Sequence, residues 1–213
     1  MVVSSFLQIH KLKYIGDLAV RKNKKQRKQI KAVRLKNKKI LKKYPWLSAI
    51  DWWWNPINTY DFTLLDDMPE GWRKCFGMMM IEDMEKARAG KPITSQQVKE
   101  KYGQLEWYCD APQEVQDVIT AYSILSRNIC INCGQVDVGH TYGWISPICK
   151  RCFNSCCEGN YYEEISPHTR MPLDYSYRTL KDGEWKDYTV DISEYTNKVR
   201  TNWYRRAKLK EKK

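Results

Sequence analysis

Apolar positions recur along this chain with a spacing that changes from helical to alternating and back. Between residues 29 and 43, Ile30, Val33, Ile40 and Leu41 stand at offsets 0, 3, 10 and 11, one helical stripe that Asn37 interrupts at offset 7. The stripe predicts a helix over 29–43, ended by Pro45, which disfavours helical backbone at Tyr44. An aromatic-dense stretch follows, with Trp46, Trp52-Trp53-Trp54, Tyr60 and Phe62. It reads as irregular chain whose rings pack in the core, meet a protein, or stack on unpaired bases. Pro69-Glu70 opens a helix over 69–89 with Trp72, Cys75, Phe76, Met79, Met80, Asp83 and Ala87 near one face; Gly90 and Pro92 stop it. Residues 93–102 read as a second short helix capped by Thr94 or Ser95 and broken at Gly103. Residues 105–109 alternate as a strand does. Pro112 then opens a helix to about Ser126 that buries Val115, Val118, Ile119, Tyr122 and Leu125. Residues 185–195 alternate again, and the basic tail NWYRRAKLKEKK is expected to fray. The fold class is α+β.

Cysteine spacing adds a constraint that periodicity does not. Cys130 and Cys133 form one C-x-x-C pair, Cys149 and Cys152 a second, with fifteen residues between the pairs. Two residues between thiolates let a short turn aim both sulfurs at one ion, and two such turns complete a tetrahedral set for structural Zn²⁺. Gly134 follows the first pair, where a tight knuckle needs positive φ. The alternatives are two disulfides or four buried thiols. A full Cys₄ shell leaves no open position for water or substrate, so the site reads as structural. Cys75 and Cys109 lie on apolar faces as buried thiols. Cys156 and Cys157 are a possible additional metal or redox pair, and His140, between the zinc pairs, is a possible substitute ligand.

The formal net charge of +12 is unevenly spread. Residues 21–43 hold 13 Lys/Arg and no acid, and residues 198–213 hold 8 Lys/Arg with Glu211 alone against them. The span 44–197 carries 14 basic and 23 acidic residues. This is an acidic body with two basic extensions, organised as a basic N-terminal helical extension (1–43), an α+β zinc-ribbon domain (44–155) and a C-terminal extension (156–213). There is no apolar run long enough for a membrane span and no secretory pattern at the start, so a cytoplasmic protein with no membrane partner is expected.

The motifs LDDMPEGWRKCFG (65–77), QVKEKYGQLEWYCDAP (97–112) and the cysteine pairs with GWISPI between them occur in this order. Together they resemble a group of uncharacterised tailed-phage and prophage proteins that share an L-D-x-M-P-x-G-W-R segment, a K-[YF]-G-x-L-x-[FWY]-Y strand, a helix and a Cys-rich knuckle. The resemblance spans roughly residues 35–153. It implies a phage origin and a bacterial host cytoplasm, and it brings no activity and no catalytic residues.

No nucleotide loop, serine elbow or H-E-x-x-H motif occurs, and Glu163-Glu164 and Asp66-Asp67 read as surface acids, so binding rather than catalysis is expected. Lys24, Lys25, Arg27, Lys28, Lys31, Arg34, Lys38 and Lys39 wrap the predicted basic helix and are the candidate phosphate-contacting residues for DNA or RNA. The other uses of that helix are an acidic protein surface, including a host or phage protein complex in defence or transcription, or the chain's own acidic body.

Overall fold

The computed structural model describes residues 24–49, 60–143, 145–156, 161–164 and 171–211, and mixes helices with three small antiparallel sheets. Helix α1 spans Lys24–Lys43 and is followed by a 3₁₀ turn, Pro45–Leu47. The short α2 is Leu64–Asp67. Helix α3 covers residues 70–87 and consists of Glu70–Trp72, a wide π turn at Arg73–Gly77 and Met78–Ala87. Strands β1 (Thr94–Lys101) and β2 (Gln104–Asp110) form a hairpin, and α4 is Gln113–Ser126. The cysteine region holds β3 (Gly139–Thr141), β4 (Pro147–Ile148), α5 (Lys150–Cys156) and β5 (Tyr162–Glu163), with β3 central in its sheet. A second hairpin, β6 (Asp174–Lys181) with β7 (Glu184–Asp191), leads into α6 (Ser193–Glu211). No helix among the described residues is long and apolar enough to cross a membrane.

Residues 94–101 are a strand where helix was expected. Tyr102 and Gly103 both have positive φ, 52° and 80°, the conformation of a type I′ turn, and that turn folds β1 back on β2 in register from Lys101↔Gln104 to Thr94↔Asp110. The hairpin puts Ser95 beneath Trp107, whose indole N–H donates to Ser95 Oγ at 3.1 Å. Helix α4 covers the other edge of β2: Ser126 Oγ accepts the Leu105 N–H at 2.8 Å and Ser123 Oγ donates to the Leu105 carbonyl at 2.6 Å. Two serines thus occupy the polar groups that a strand edge otherwise leaves open. Val115, Val118, Ile119, Tyr122 and Leu125 are all buried, as the spacing predicts.

The main core joins Leu64, Leu65 and Met68, the Trp72/Phe76/Met80/Met84 face of α3, Leu105 and Trp107, and the apolar stripe of α4. Phe76 stacks on Tyr122 at 5.3 Å, and Tyr122 meets Tyr195 edge-on. Residues 156–213, expected as an extension, contribute Met171, Ile192 and Val199 to this same core. The tail expected to fray forms the C-terminal half of α6. Its polar sequence hid the docking, because part of what holds α6 is polar. Lys198 Nζ reaches both oxygens of Asp83 at 2.7 and 2.8 Å, and the Tyr122 hydroxyl donates to the same carboxylate at 2.7 Å. Asp83 is almost fully buried, so this pairing is what lets a charge stand there.

Asn37 does not interrupt the α1 stripe; it is the one buried residue of that helix. Its amide approaches Asp66 Oδ2 at 3.5 Å. Asp66 is correspondingly more than a surface acid: it accepts from the Thr63 N–H and hydroxyl in a capping box and from Arg73 Nη1 at 3.0 Å. Trp46 joins the core edge, donating to Glu85 at 2.9 Å and packing on Trp107. Trp52-Trp53-Trp54 lie outside the described residues.

Candidate metal centre and basic helix

The first cysteine pair sits on a turn closed by Cys130 N–H to the Gln135 carbonyl at 2.8 Å and Gly134 N–H to the Cys130 carbonyl at 2.9 Å. Gly134 has φ +78°, and a Cβ there would lie 2.5 Å from the Gly71 carbonyl oxygen. The second pair straddles the start of α5, where the Cys152 N–H points at Cys149 Sγ, 3.4 Å away. The two turns bring the sulfurs of Cys130, Cys133, Cys149 and Cys152 within 4.8 Å of one another. Cys133 and Cys149 are 3.6 Å apart, far longer than a disulfide and close to the ~3.8 Å edge of a tetrahedron with metal–sulfur bonds of about 2.3 Å. All four are free thiols, and together they can hold a metal ion.

The electrostatics point the same way. Burial pushes the Cys130 and Cys152 thiols up. Burial also opposes ionisation of Cys133, but hydrogen bonds from the Gln135 N–H and its neighbouring thiols outweigh it and hold that thiol below its usual range. Arg151 lies on the open side, its guanidinium held charged by Cys133 first and then by the other sulfurs. A cluster that must shed several protons in a half-buried place needs a cation to offset the charge. His140 is not a member: it lies in β3 and meets Glu163 at 3.3 Å. Cys156 is exposed one turn beyond Cys152, with its Sγ 3.0 Å from the Cys152 carbonyl. Cys75 is buried beside the knuckle, its thiol raised to about 12 by burial, and Cys109 is raised to about 11 for the same reason. Cys157 and His168 lie outside the described residues.

The knuckle's own core is small: Cys130, Val138, Ile148 and Cys149 are buried, with Phe153 and Tyr162 against them. It gains support by docking on α3. Gly71 N–H donates to the Ile131 carbonyl at 2.8 Å and the Trp72 indole N–H to the Ile129 carbonyl at 2.7 Å. A side chain at position 71 would collide with the Cys130 carbonyl, so the Gly71-Trp72 dipeptide is the knuckle's seat. The sequence signal was a glycine inside a helical pattern, which often marks close backbone approach. The π turn that follows widens the helix and exposes carbonyls. On its far side Asn202 Nδ2 donates to the Cys75 carbonyl at 2.8 Å and Arg206 donates to the Lys74 carbonyl. One wide turn therefore joins the knuckle to α6.

The eight candidate phosphate-contacting residues are all exposed on α1. Arg34 is engaged by Asp61 in a two-pronged pair at 2.6 and 2.9 Å, and Lys38 lies over the Tyr60 ring. Among the described residues none of the other six pairs with a carboxylate. Among the described residues, Arg34–Asp61 is thus the one ion pair between the helix and the acidic body. Among the described residues, its buried and core-packed positions lie in its C-terminal half, Asn37, Ile40 and Leu41 with the following Tyr44, while Val33 and Leu35 are exposed. Comparison with protein-family models, with curated proteins and with solved structures finds no match to this chain.

Proposed function

We propose that this chain is a zinc-stabilised nucleic-acid-binding protein that grips phosphates with α1. The observation that carries the reading is the exposure of all eight candidate cations on a helix with no acidic residue, whose core contacts among the described residues come from its C-terminal half. A helix of 20 residues is about 30 Å long, and a duplex presents one phosphate charge per ~1.7 Å of its axis. Several contacts at once are therefore within reach. The sequence carries no recognisable base-reading module, so binding is expected to follow backbone charge. The resemblance to phage and prophage proteins fits a role in an infected bacterial cytoplasm. Zinc is the metal that best suits four thiolates with these separations, and its role is to hold the knuckle on Gly71-Trp72.

A second reading is favoured by the β6–β7 hairpin. Leu180 and Trp185 pair across its tip at 56% and 64% exposure, and Tyr177 stacks between Tyr175 and Tyr188 on its other face. Exposed aromatics on a projecting arm suit a protein partner, such as a host or phage complex.

Titration of the purified protein onto labelled duplex and single-stranded oligonucleotides at two salt concentrations separates the readings. Six to ten phosphate contacts lower affinity by about 10³–10⁵ between 50 and 200 mM salt. Absence of binding at 50 mM salt leaves only the protein partner. Metal analysis of freshly purified, reduced protein is expected to give about one zinc per chain.

A further inference from the structure

Helix α6 repeats the charge signature of α1 in a different setting. From residue 195 to residue 210 it contains no Asp or Glu. Its docked side is set by Thr196, Val199, Trp203 and Arg206. At 3.6 residues per turn, Tyr204, Arg205 and Lys208 fall on the opposite side within an arc of about 100°. All three are exposed, Tyr204 at 56%. Arg205 reaches only the Asn202 side-chain oxygen at 3.2 Å, and among the described residues neither Arg205 nor Lys208 meets a carboxylate. A solvated charged face explains the two cations. It does not explain a large ring held in water beside them. An aromatic next to cations is the combination that single-stranded nucleic acid uses, a base on the ring and its phosphates on the charges.

The two basic helices are also tied to neighbouring points. Asp66 accepts from Asn37 of α1 and from Arg73, and the next residue, Lys74, offers its carbonyl to Arg206 of α6. The Asp66–Arg73 pair thus links the α1 anchor, which lies on α2, to α3 beside the residue that receives Arg206 of α6.

We propose that Tyr204, Arg205 and Lys208 form a second contact surface for the strand gripped by α1, with Tyr204 stacking on an unpaired base, so that the protein prefers single-stranded nucleic acid to duplex. This rests on the reading of α1 as a phosphate-binding helix. The test uses the full chain with a labelled single-stranded 30-mer and the matching duplex, and three variants: Tyr204→Ala, Arg205→Gln with Lys208→Gln, and Arg205→Lys with Lys208→Arg. All three positions are exposed, so melting temperatures stay at the wild-type value and serve as the folding control. Tyr204→Ala is expected to weaken single-strand binding at least about fivefold and leave the duplex unchanged. The double Gln variant is expected to flatten the log–log salt dependence for the single strand by about 1.4, at ~0.7 per contact, and the charge-conserving variant to restore it. Wild-type affinity and slope in both Tyr204→Ala and the double Gln variant overturn the second surface while leaving α1 as the binding helix. Equal losses for strand and duplex overturn the stacking role of Tyr204. A wild-type protein that binds neither oligonucleotide overturns both this inference and the reading beneath it.

Discussion

Helices α1 and α6 both carry long lysine- and arginine-rich runs without acids, 24–43 and 195–210, yet the body holds them in different ways. Helix α6 is fastened along its length: Thr196 and Val199 are fully buried, Lys198 completes the Asp83–Tyr122 network, and Asn202 and Arg206 cap the carbonyls of the π turn. Helix α1 is fastened at one end, by Asn37, Ile40 and Leu41, and its first three turns show exposed cations around Ile30 and Val33. Charge pattern alone therefore does not decide whether a basic helix is structural or presented to a partner. What decides it is whether some residues of the helix find partners in the body, polar ones included.

A matched pair of substitutions breaks this comparison most directly. Val199→Asp places an uncompensated charge in the core and is expected to cost about 3–5 kcal/mol. Val33→Asp, on a residue 42% exposed, is expected to change stability by no more than about 0.5 kcal/mol. Chemical denaturation of both variants checks this, and similar losses would mean that α1 is docked along its whole length. A smaller effect sharpens the account of α6. Asn202→Ala combined with Arg206→Ala leaves two carbonyls of the wide turn without these donors and is expected to cost about 1–2 kcal/mol, with faster amide exchange around residues 73–78. Smaller again, Asn37→Ala removes a long, partly buried hydrogen bond at a cost of roughly 1 kcal/mol or less. Its exchange signature is confined to residues 37–43, since Asp66 keeps Thr63 and Arg73 as partners.

Much of this was legible in the sequence, for physical reasons that differ by element. The knuckle was readable because metal ligation fixes spacing more tightly than any packing pattern does, and the four thiols converge as the two C-x-x-C pairs imply. Helix α4 was readable because its stripe is long and strictly helical. Strand β1 was misread because Gln, Lys and Glu favour helix locally, and the decision was made by a turn at Tyr102-Gly103 and by pairing to β2. Helix α6 was misread because its anchors are Lys198, Asn202 and Arg206, residue types that look solvent-facing until their partners on α3 are known. Asn37 was misread for the same reason. The seat at Gly71-Trp72 was not anticipated either, because its partner is the backbone of residues 129–131, which sequence pattern does not display.

The central claim is that the exposed cations of α1 bind polynucleotide phosphates. Its most direct test is the salt dependence of affinity for the wild type and for a variant carrying Lys24→Glu, Lys28→Glu, Lys31→Glu and Lys38→Glu. All four are exposed and make no pair with a carboxylate among the described residues, so the variant melts like the wild type. At ~0.7–0.9 per contact, loss of four contacts is expected to flatten the log–log slope by roughly 3 units, alike for different base sequences. A wild-type protein that binds no nucleic acid at about 50 mM salt, or a variant that keeps the wild-type slope, would contradict it.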